Sequence, residues 1–288
     1  MIQYKNPHVT VFQSAIFCTT ATVVQTADLV LVVDPNWLPG EVEAIRHFVE
    51  MEAAGRPVYL LFTHSDYDHI IGYGAFPKAT VIASEAFRQN PGKEKIIEEI
   101  RTWDEGNYVT RPYPIEYPVL DLAVSRDGQT FKAGSTKLTF YLAPGHNADG
   151  IFTIVESEEP EAGCTWLAGD YLCDVEFPYI YHSSIEYEQT LAKAGLILEK
   201  HAPSLLVPGH GKVALRREEI LRRKTEALEY ILEMRRCIAG GTPFNTEKLW
   251  KRYHFRRGME SFQMENTALF KREEGHRKCS GLSSGNTT

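Results

Sequence analysis

The fold is decided by the stretch Val58-Tyr59-Leu60-Leu61-Phe62-Thr63-His64-Ser65-Asp66-Tyr67-Asp68-His69. Its apolar first half predicts a buried strand, and its second half carries two carboxylates and two imidazoles within six residues. Side chains on a loop that leaves a buried strand are held rigidly and still face solvent, as a catalytic metal requires. The alternative is a polar turn whose Asp residues only cap a helix. The stretch therefore makes His64, Asp66, Asp68 and His69 candidate metal ligands.

Three more short motifs follow, each at the end of an apolar, strand-like run. They are Ala143-Pro144-Gly145-His146, Trp166-Leu167-Ala168-Gly169-Asp170 and Val207-Pro208-Gly209-His210-Gly211. Gly and Pro allow a sharp exit from a strand, so each motif offers one ligand at a strand end. A single Pro-Gly-His is weak evidence. Four strand-end sites in this order, however, predict one metal centre that includes His146, Asp170 and His210.

With these motifs the chain resembles the metallo-β-lactamase superfamily, and their order is that of its glyoxalase II-like and lactonase-like hydrolases. The family's first motif is His-x-His-x-Asp-His. Here it reads His-x-Asp-x-Asp-His, because Asp66 stands in place of the second histidine. The resemblance covers roughly residues 8–212, and the segment 19–34 looks like the family's first hairpin. It is specific for the superfamily and not for a substrate, since this fold hosts many chemistries.

The resemblance implies a dinuclear centre. The first metal would be held by His64, Asp66 and His146, the second by Asp68, His69 and His210, and Asp170 would bridge them. Two divalent metals about 3.5–4 Å apart hold a bridging hydroxide at neutral pH and polarise a carbonyl or phosphoryl oxygen. That hydroxide would be the nucleophile, and the catalytic Asp68 would orient it or shuttle protons around it.

Asp66 is the departure that matters for the metal. A carboxylate adds a negative charge and is a harder ligand than imidazole, which shifts preference towards manganese or iron. We therefore expect two divalent ions, with zinc as the first expectation and manganese or iron as alternatives. The related flavodiiron proteins have Glu at this position and use iron, but no flavin-binding domain follows the core here. Being shorter than His, Asp66 either reaches the metal or leaves one site weak.

Composition agrees with an enzyme of the cytoplasm. A chain of 288 residues with 43% hydrophobic residues can bury a sizeable core. It has no run of 18 apolar residues and no apolar signal region at its start, so neither a transmembrane helix nor export is expected. The five cysteines are scattered and include no CxxC pair. Free thiols in a reducing cytoplasm are the simplest interpretation.

The net charge of −7 is unevenly distributed. Residues 212–288 hold 17 Lys and Arg against 10 Asp and Glu, so the rest of the chain carries all of the negative excess. An acidic body repels phosphates, which argues against nucleic acid as a partner. The basic tail either packs on an acidic body or contacts a polyanion, and its interspersed glutamates favour packing. The expected partner is a small-molecule substrate, with no membrane and with a homodimer left open.

The pattern of elements predicts an α+β fold, a four-layer αβ/βα sandwich with a C-terminal helical extension. Strands are predicted over 9–17, 21–25 and 29–33, and helices over 40–54, 184–200 and 215–238. Shorter helices are expected over 246–254 and 261–271. The predicted division is a catalytic domain at 1–212, a helical extension at 213–279 and a disordered tail at 280–288.

Two aromatic, proline-containing stretches are candidates for the pocket wall. Residues 90–118 form either a semi-rigid lid or a surface loop whose aromatics pack on the body. Residues 177–182 follow the ligand Asp170, so we expect Tyr179, Tyr181 and His182 to contact substrate. His182 matches no ligand position of the family, which favours a substrate contact or a hydrogen-bonding role.

The resemblance thus implies a dinuclear metallo-hydrolase that acts on a small ester-like bond: a lactone, a thioester or similar. One alternative is an iron-dependent redox enzyme or oxygenase on the same fold. Another is a catalytically inactive binding protein, against which the intact ligand set argues. A phosphodiesterase or nuclease is disfavoured by the acidic body and by the lack of a large inserted nucleic-acid domain.

Overall fold

The computed structural model describes residues 1–159 and 161–283, with side chains up to residue 276. Twelve strands form two sheets in this part of the chain. The first sheet has seven strands in chain order: β1 (Ile2–Lys5), β2 (Val9–Gln13), β3 (Thr20–Gln25), β4 (Val30–Val33), β5 (Val58–Leu61), β6 (Thr80–Ser84) and β7 (Leu122–Val124). Strands β1 to β4 pair antiparallel, and β4 to β7 pair parallel.

The second sheet has five strands in the order β12-β11-β10-β9-β8. Their bounds are β8 (Gln129–Ala133), β9 (Thr136–Leu142), β10 (Ile151–Ser157), β11 (Cys164–Leu167) and β12 (Leu205–Val207). Only β11 and β12 are parallel neighbours among these described strands. Strands β9, β11 and β12 therefore run in one direction, so their carboxyl ends lie at the same edge.

Helices cover the outer faces of both sheets. They are α1 (Pro39–Ala53), α2 (Tyr67–Ile70), α3 (Glu85–Arg88), α4 (Lys93–Gly106), α5 (Ser184–His201), α6 (Arg217–Gly240), α7 (Thr246–Arg252) and α8 (Arg256–Ser283), with one 3₁₀ turn at Tyr73–Ala75. Ser84 caps α3, as its hydroxyl accepts a hydrogen bond from the backbone N–H of Phe87. None of the described helices has the length and apolarity that crossing a membrane demands.

Three apolar clusters lie between four layers, which are an outer helical layer, the two sheets and a second outer helical layer. On β4, Leu31 and Val33 face a cluster shared by both sheets, whereas Val30 and Val32 face the cluster under α1 and α4. On β10 the same alternation sends Ile154 to a third cluster under α5, α6 and α8. This period of two lets each sheet bury both of its faces. The predicted α+β four-layer sandwich is confirmed.

The structure corrects several predicted boundaries. The strand predicted over 9–17 ends at Gln13, because residues 14–19 form the turn between β2 and β3. The backbone N–H of Ser14 donates to the carbonyl of Thr19 at 2.9 Å, and Phe17 and Cys18 adopt left-handed backbone angles (φ 53° for both). The helix predicted over 261–271 belongs to the longer α8, since neither Gly258 nor Gly275 interrupts it. Of the tail predicted to be disordered, 280–283 lie in α8, and 284–288 fall outside the described residues.

The region after residue 212 shares its core with the second sheet. Ile220 and Tyr230 of α6, Leu249 of α7 and Phe270 of α8 belong to the same cluster as Trp166 of β11. These helices thus form part of the outer layer, packed beside α5. The division at residue 212 stays a prediction.

The aromatic residues of the long connection pack on the first sheet. Trp103, Tyr113 and Tyr117 join the cluster under α1 and α4, and the Trp103 ring lies 4.3 Å from that of Trp37. Tyr108 alone of this group points into solvent, 96% exposed. These contacts support the interpretation that the aromatics pack on the body.

Candidate metal centre

The seven predicted ligands meet at one end of the sandwich. His64 lies just beyond β5, and Asp66 precedes α2, which carries Asp68 and His69 on its single turn. The remaining three follow strands of the second sheet: His146 after β9, Asp170 after β11 and His210 after β12. The carboxyl ends of these strands converge, which brings together side chains up to 146 positions apart in the sequence.

The ligands fall into two groups that share Asp170. The first ligand group is His64, Asp66 and His146, which with Asp170 place one donor atom each within 4.8 Å of one another. The second ligand group is Asp68, His69 and His210, with donor atoms equally close. This is the division that the resemblance implied.

Asp170 lies between the two groups. Its Oδ1 is 3.1 Å from His69 Nε2, and its Oδ2 is 3.2 Å from His210 Nε2 and 3.3 Å from His146 Nε2. A glycine makes this arrangement possible, because a Cβ at Gly209 would lie 2.0 Å from Asp170 Oδ1. One carboxylate thus faces imidazoles of both groups, the position of a bridging ligand.

Unsatisfied polar atoms show that the site fits divalent cations. His64 Nε2, His69 Nε2 and Asp170 Oδ1 are buried and make no hydrogen bond of acceptable geometry, although the last two lie 3.1 Å apart. Buried polar atoms left unpaired are costly, and here they converge. Imidazole and carboxylate donors suit zinc, manganese or iron, so these residues could hold two such ions.

The outward-facing nitrogen of each imidazole has a partner in the protein. His69 Nδ1 lies 3.0 Å from Asp34 Oδ2, His146 Nδ1 2.7 Å from the carbonyl oxygen of Tyr179, and His210 Nδ1 3.0 Å from that of Phe17. These acceptors require a proton on Nδ1 and so leave Nε2 free as the donor to a metal.

A hydroxyl serves the fourth imidazole. The Thr63 hydroxyl donates to Asp34 Oδ2 at 2.6 Å, so its oxygen is free to accept from His64 Nδ1 at 3.0 Å. The Thr63 backbone N–H also donates to Asp34, at 2.9 Å. Asp34 therefore orients ligands on both sides of the bridging carboxylate.

The carboxylates raise the pKa values of the imidazoles. Burial alone would lower the pKa of His146, but Asp170 and Asp66 outweigh it and raise this pKa to about 9. Burial would also lower the pKa values of His69 and His210. The charge of Asp170 outweighs this effect, and both pKa values lie well above the usual range. Despite burial, the imidazoles hold the pKa of Asp170 well below its ordinary value. The site thus strongly favours added positive charge, which metal ions would supply.

Asp66 faces the first ligand group with one oxygen. Its Oδ2 lies 3.0 Å from His146 Nε2 and 3.6 Å from His64 Nε2. Its Oδ1 accepts a hydrogen bond from Asn147 Nδ2 at 3.0 Å. Burial works against the charge, yet both imidazoles keep the pKa of Asp66 below its usual range. The shorter side chain therefore reaches the place where the family pattern has an imidazole.

Asp68 is held by a hydroxyl on the other side of the site. Its Oδ2 accepts from Thr19 Oγ1 at 3.2 Å and lies 3.6 Å from His210 Nε2 and 3.7 Å from His69 Nε2. Thr19 reaches this position because it forms an isolated antiparallel bridge with His210.

The three expected substrate contacts occupy different positions. The Tyr181 ring lies 5.0 Å from the His146 ring and is 44% exposed, so it lines the rim of the site. Tyr179 is buried behind it and orients His146 through its carbonyl. His182 instead places Nε2 2.7 Å from the Glu186 carboxylate, and its side chain lies outside the metal-binding groups found among the described residues.

The rim segment is supported by α8. Asn266, fully buried, donates to the carbonyl of Pro178 at 2.7 Å and accepts from the N–H of Ile180 at 2.9 Å. The Tyr179 ring stacks on Phe262 at 3.9 Å, and its hydroxyl donates to Glu265. The C-terminal helix thus holds the segment whose carbonyl orients a ligand.

One carboxylate near the second ligand group was missed in the sequence. Glu176 places an oxygen within 4.8 Å of donor atoms of Asp170 and His210. Burial, together with the charge of Asp170, raises the pKa of Glu176, although His210 opposes this. The only signal in the sequence was a Glu six residues after a ligand, which is too common to single out. Asp34 and Asn147 were missed as partners for the same reason.

By class, the protein is a metallo-hydrolase: its layered sandwich carries clustered ligands that form a candidate dinuclear metal site. Residues 19–158 match the family model described as the metallo-beta-lactamase superfamily. The chain carries a domain of the metallo-β-lactamase superfamily, with the His-x-Asp-x-Asp-His variant of its first motif. The recognition made from the motifs is confirmed.

Solved structures show the same fold. A HARLDQ-motif mutant of a metallo-β-lactamase from Cronobacter sakazakii is 17% identical, with 82% of this chain and 97% of that chain covered at a TM-score of 0.57. A B3 metallo-β-lactamase with an active-site glutamic acid is 18% identical (80% and 89% covered, TM-score 0.53). A metallo-β-lactamase from Pontibacter korlensis is 16% identical (80% and 98% covered, TM-score 0.52). No curated protein matches the chain in sequence.

Proposed function

We propose that the protein is a dinuclear metal-dependent hydrolase of a small ester-like substrate such as a lactone or thioester. One observation carries the proposal: two groups of ligands share the bridging Asp170 and leave three buried polar atoms without partners. A binding protein that had kept only the fold would gain nothing to offset the cost of burying these unpaired, converging donor atoms. The superfamily domain points to hydrolysis as the reaction class.

When bound, two divalent ions would supply a water-derived nucleophile at neutral pH and polarise the substrate's carbonyl oxygen. Asp68, whose Oδ2 is fixed by the Thr19 hydroxyl and faces His210, would orient the nucleophile from within the second ligand group. Asp34 and the carbonyls of Tyr179 and Phe17 keep imidazole nitrogens directed inward. The ring of Tyr181 would line one side of the substrate.

The chemistry of the surroundings favours a small substrate without phosphates. Three carboxylates contribute to the two ligand groups and their bridge, and Glu176 adds a fourth nearby. A polyanionic backbone would be repelled here, so nucleic acid is not proposed as a partner. The four cysteines that the structure describes are unpaired, which supports a reducing compartment such as the cytoplasm.

The first test is metal content. We expect elemental analysis of protein reconstituted with zinc, manganese or iron to give close to two metals per chain. Less than one metal per chain in all three reconstitutions would contradict the proposal. Asp170→Ala, which lacks the bridge, is the matched control and should retain neither ion under the same conditions.

The second test is a substrate panel on the loaded protein. Lactone, thioester, β-lactam and phosphodiester substrates separate the candidate activities, and β-lactams belong there because the similar solved structures are metallo-β-lactamases. We expect turnover on the lactones or thioesters. Asp66, a hard ligand, is the observation that favours an iron-dependent redox enzyme as the second candidate. Oxygen consumption by the iron-loaded protein, with no hydrolysis in the panel, would select that candidate.

A further inference from the structure

Asn147 contacts the one ligand that departs from the family motif. We propose that Asn147 is a positioning residue that fixes Asp66 as a one-oxygen ligand of the first metal and thereby sets metal preference at that site. The inference rests on the proposed dinuclear centre. It concerns a residue that is not itself a ligand.

The hydrogen bond from Asn147 gives the two Asp66 oxygens different partners. Asn147 Nδ2 donates to Oδ1 at 3.0 Å, and Oδ2 is left 3.0 Å from His146 Nε2. A carboxylate can bind a metal through one oxygen or two, or can turn away to water. Because a donor occupies Oδ1, only Oδ2 remains directed at the first metal, and the carboxylate is held as a monodentate ligand.

The orientation of the Asn147 amide is fixed by its own surroundings. Its Oδ1 accepts from the N–H of Asp149 at 3.3 Å, and its backbone carbonyl accepts from the N–H of Gly145 at 2.9 Å. A flipped amide would place its oxygen against the Asp66 carboxylate and its NH₂ against a backbone N–H. Both contacts would be repulsive, so the donor must face Asp66.

Among the described residues, Asn147 is the hydrogen-bond partner of the Asp66 side chain that is not itself a candidate ligand. The Asp66 side chain is 19% exposed, the largest value among the seven candidate ligands. It lies at the start of α2, a helix of only four residues. The hydrogen bond from Asn147 links this end of α2 to the loop that carries His146, the ligand directly before Asn147 in the sequence. One turn therefore sets the position of two ligands, and it does so without adding charge to a site already rich in carboxylates.

The test measures the affinity of each metal site by chelator competition with zinc and with manganese. We expect Asn147→Ala to weaken the first site by about 10–100-fold, the usual effect of removing an outer partner of a ligand. The loss should be larger for manganese, which depends more on the hard carboxylate. The second site should stay within about twofold, as expected for a site whose own partners are intact.

Three further variants isolate the contact. Asn147→Ser keeps a short oxygen that can cap the turn but cannot span to Asp66, so it should behave like Asn147→Ala while folding normally. Asn90→Ala removes an amide that donates to the nearby Asp149, and should leave the first site unchanged. In an Asp66→Ala background, Asn147→Ala should cause no further loss, because the double-mutant cycle then has no contact left to remove.

The outcomes separate this inference from the function on which it rests. A wild-type protein that binds fewer than one metal overturns both. A wild-type protein with two metals, together with Asn147→Ala and Asn147→Ser variants of unchanged first-site affinity, overturns the role of Asn147 alone. Equal losses in Asn90→Ala would also overturn it, because the effect would then not depend on the contact with Asp66.

Discussion

The two ligand groups are supported by different parts of the molecule. In the second group, His69 is backed by the carboxylate of Asp34, which lies just after β4, and Asp68 by the hydroxyl of Thr19, next to β3. These supports belong to the first sheet and the loops at its end. The side chains of this group are at most 9% exposed. The sandwich itself therefore fixes the second group.

The first ligand group shares Asp34 with the second, through the Thr63 hydroxyl that faces His64, but its other two members are held by residues outside the first sheet. Asp66 is held by a neutral amide in a turn, and His146 by the carbonyl of Tyr179. The segment carrying Tyr179 is in turn held by Asn266 of α8, 86 to 88 positions away in the sequence. The comparison teaches that the two metal sites of one centre can be supported by different parts of the same fold.

The largest expected effect comes from the residue that both groups share. Asp170→Ala should remove both metals and lower turnover by more than about 100-fold, beyond the range typical of outer partners. His182→Ala is the control, because that imidazole pairs with Glu186 outside the ligand groups, and it should keep both metals. Metal content and turnover are measured on both variants. Equal loss of turnover at unchanged metal content would show that the groups are not joined through Asp170.

The second prediction weakens the ligand group that the sandwich supports. Asp34→Asn should reduce second-site metal affinity by about 10–100-fold, because the amide supports His69 less strongly than a carboxylate does. Chelator competition measures this loss. Asp28→Asn is a matched control: its carboxylate accepts from Ser135 and Thr136 away from the site, so metal affinity should not change. An unaffected second site in Asp34→Asn would contradict the division of supports.

How far the sequence predicts this site depends on whether a contact is local. Each of the seven candidate ligands follows an apolar run with a turn signal, and the structure brings all seven together. Their roles as ligands stay predictions. Asp34 could not be predicted as a partner of His69, because it lies 35 positions away at the end of another strand. Asn147 looks like any turn residue until its distance to Asp66 is known.

The fold follows the same rule. Runs rich in β-branched residues such as β4 (Val30–Val33) predicted the strands, and the alternation of strands with helices was sufficient to predict a layered sandwich. The edge strands β1 (Ile2–Lys5) and β7 (Leu122–Val124) were not predicted, since both are short and partly exposed and carry weak patterns. The full length of α8 was also not predicted. Its contacts with the rim segment bridge nearly ninety positions, which no local pattern encodes.

The third prediction concerns a substitution in the first ligand group that leaves the residues supporting the group unchanged. Asp66→His should keep the fold and shift preference towards zinc, because an imidazole replaces a hard, charged ligand. The ratio of zinc to manganese affinity at the first site measures this, and we expect it to rise by about tenfold, a change of about 1.4 kcal/mol. Asp66→Ala provides the comparison and should weaken both metals. Unchanged first-site affinity in Asp66→Ala would show that Asp66 is not a direct ligand.

The smallest effect is expected from α8, which supports a ligand only through the segment that carries Tyr179. Asn266→Ala leaves the carbonyl of Pro178 and the N–H of Ile180 without their buried partner, so the free energy of unfolding should fall by about 1–3 kcal/mol. Because Tyr179 lies between these two residues, loosening the segment should also weaken the first metal a few-fold while the second is unchanged. Urea unfolding of the metal-free protein and chelator competition measure the two effects.

A residue on the same helix serves as the control for this change. Thr267→Ala removes a hydroxyl whose bond runs to the carbonyl of Gln263, one turn back along α8, so it should cost little stability and leave both metals bound as before. If Asn266→Ala weakens both metals equally, the support from α8 is not specific to the first ligand group. If it lowers stability with neither site affected, the segment 178–180 positions no ligand, and the two groups differ only in the replacement at Asp66.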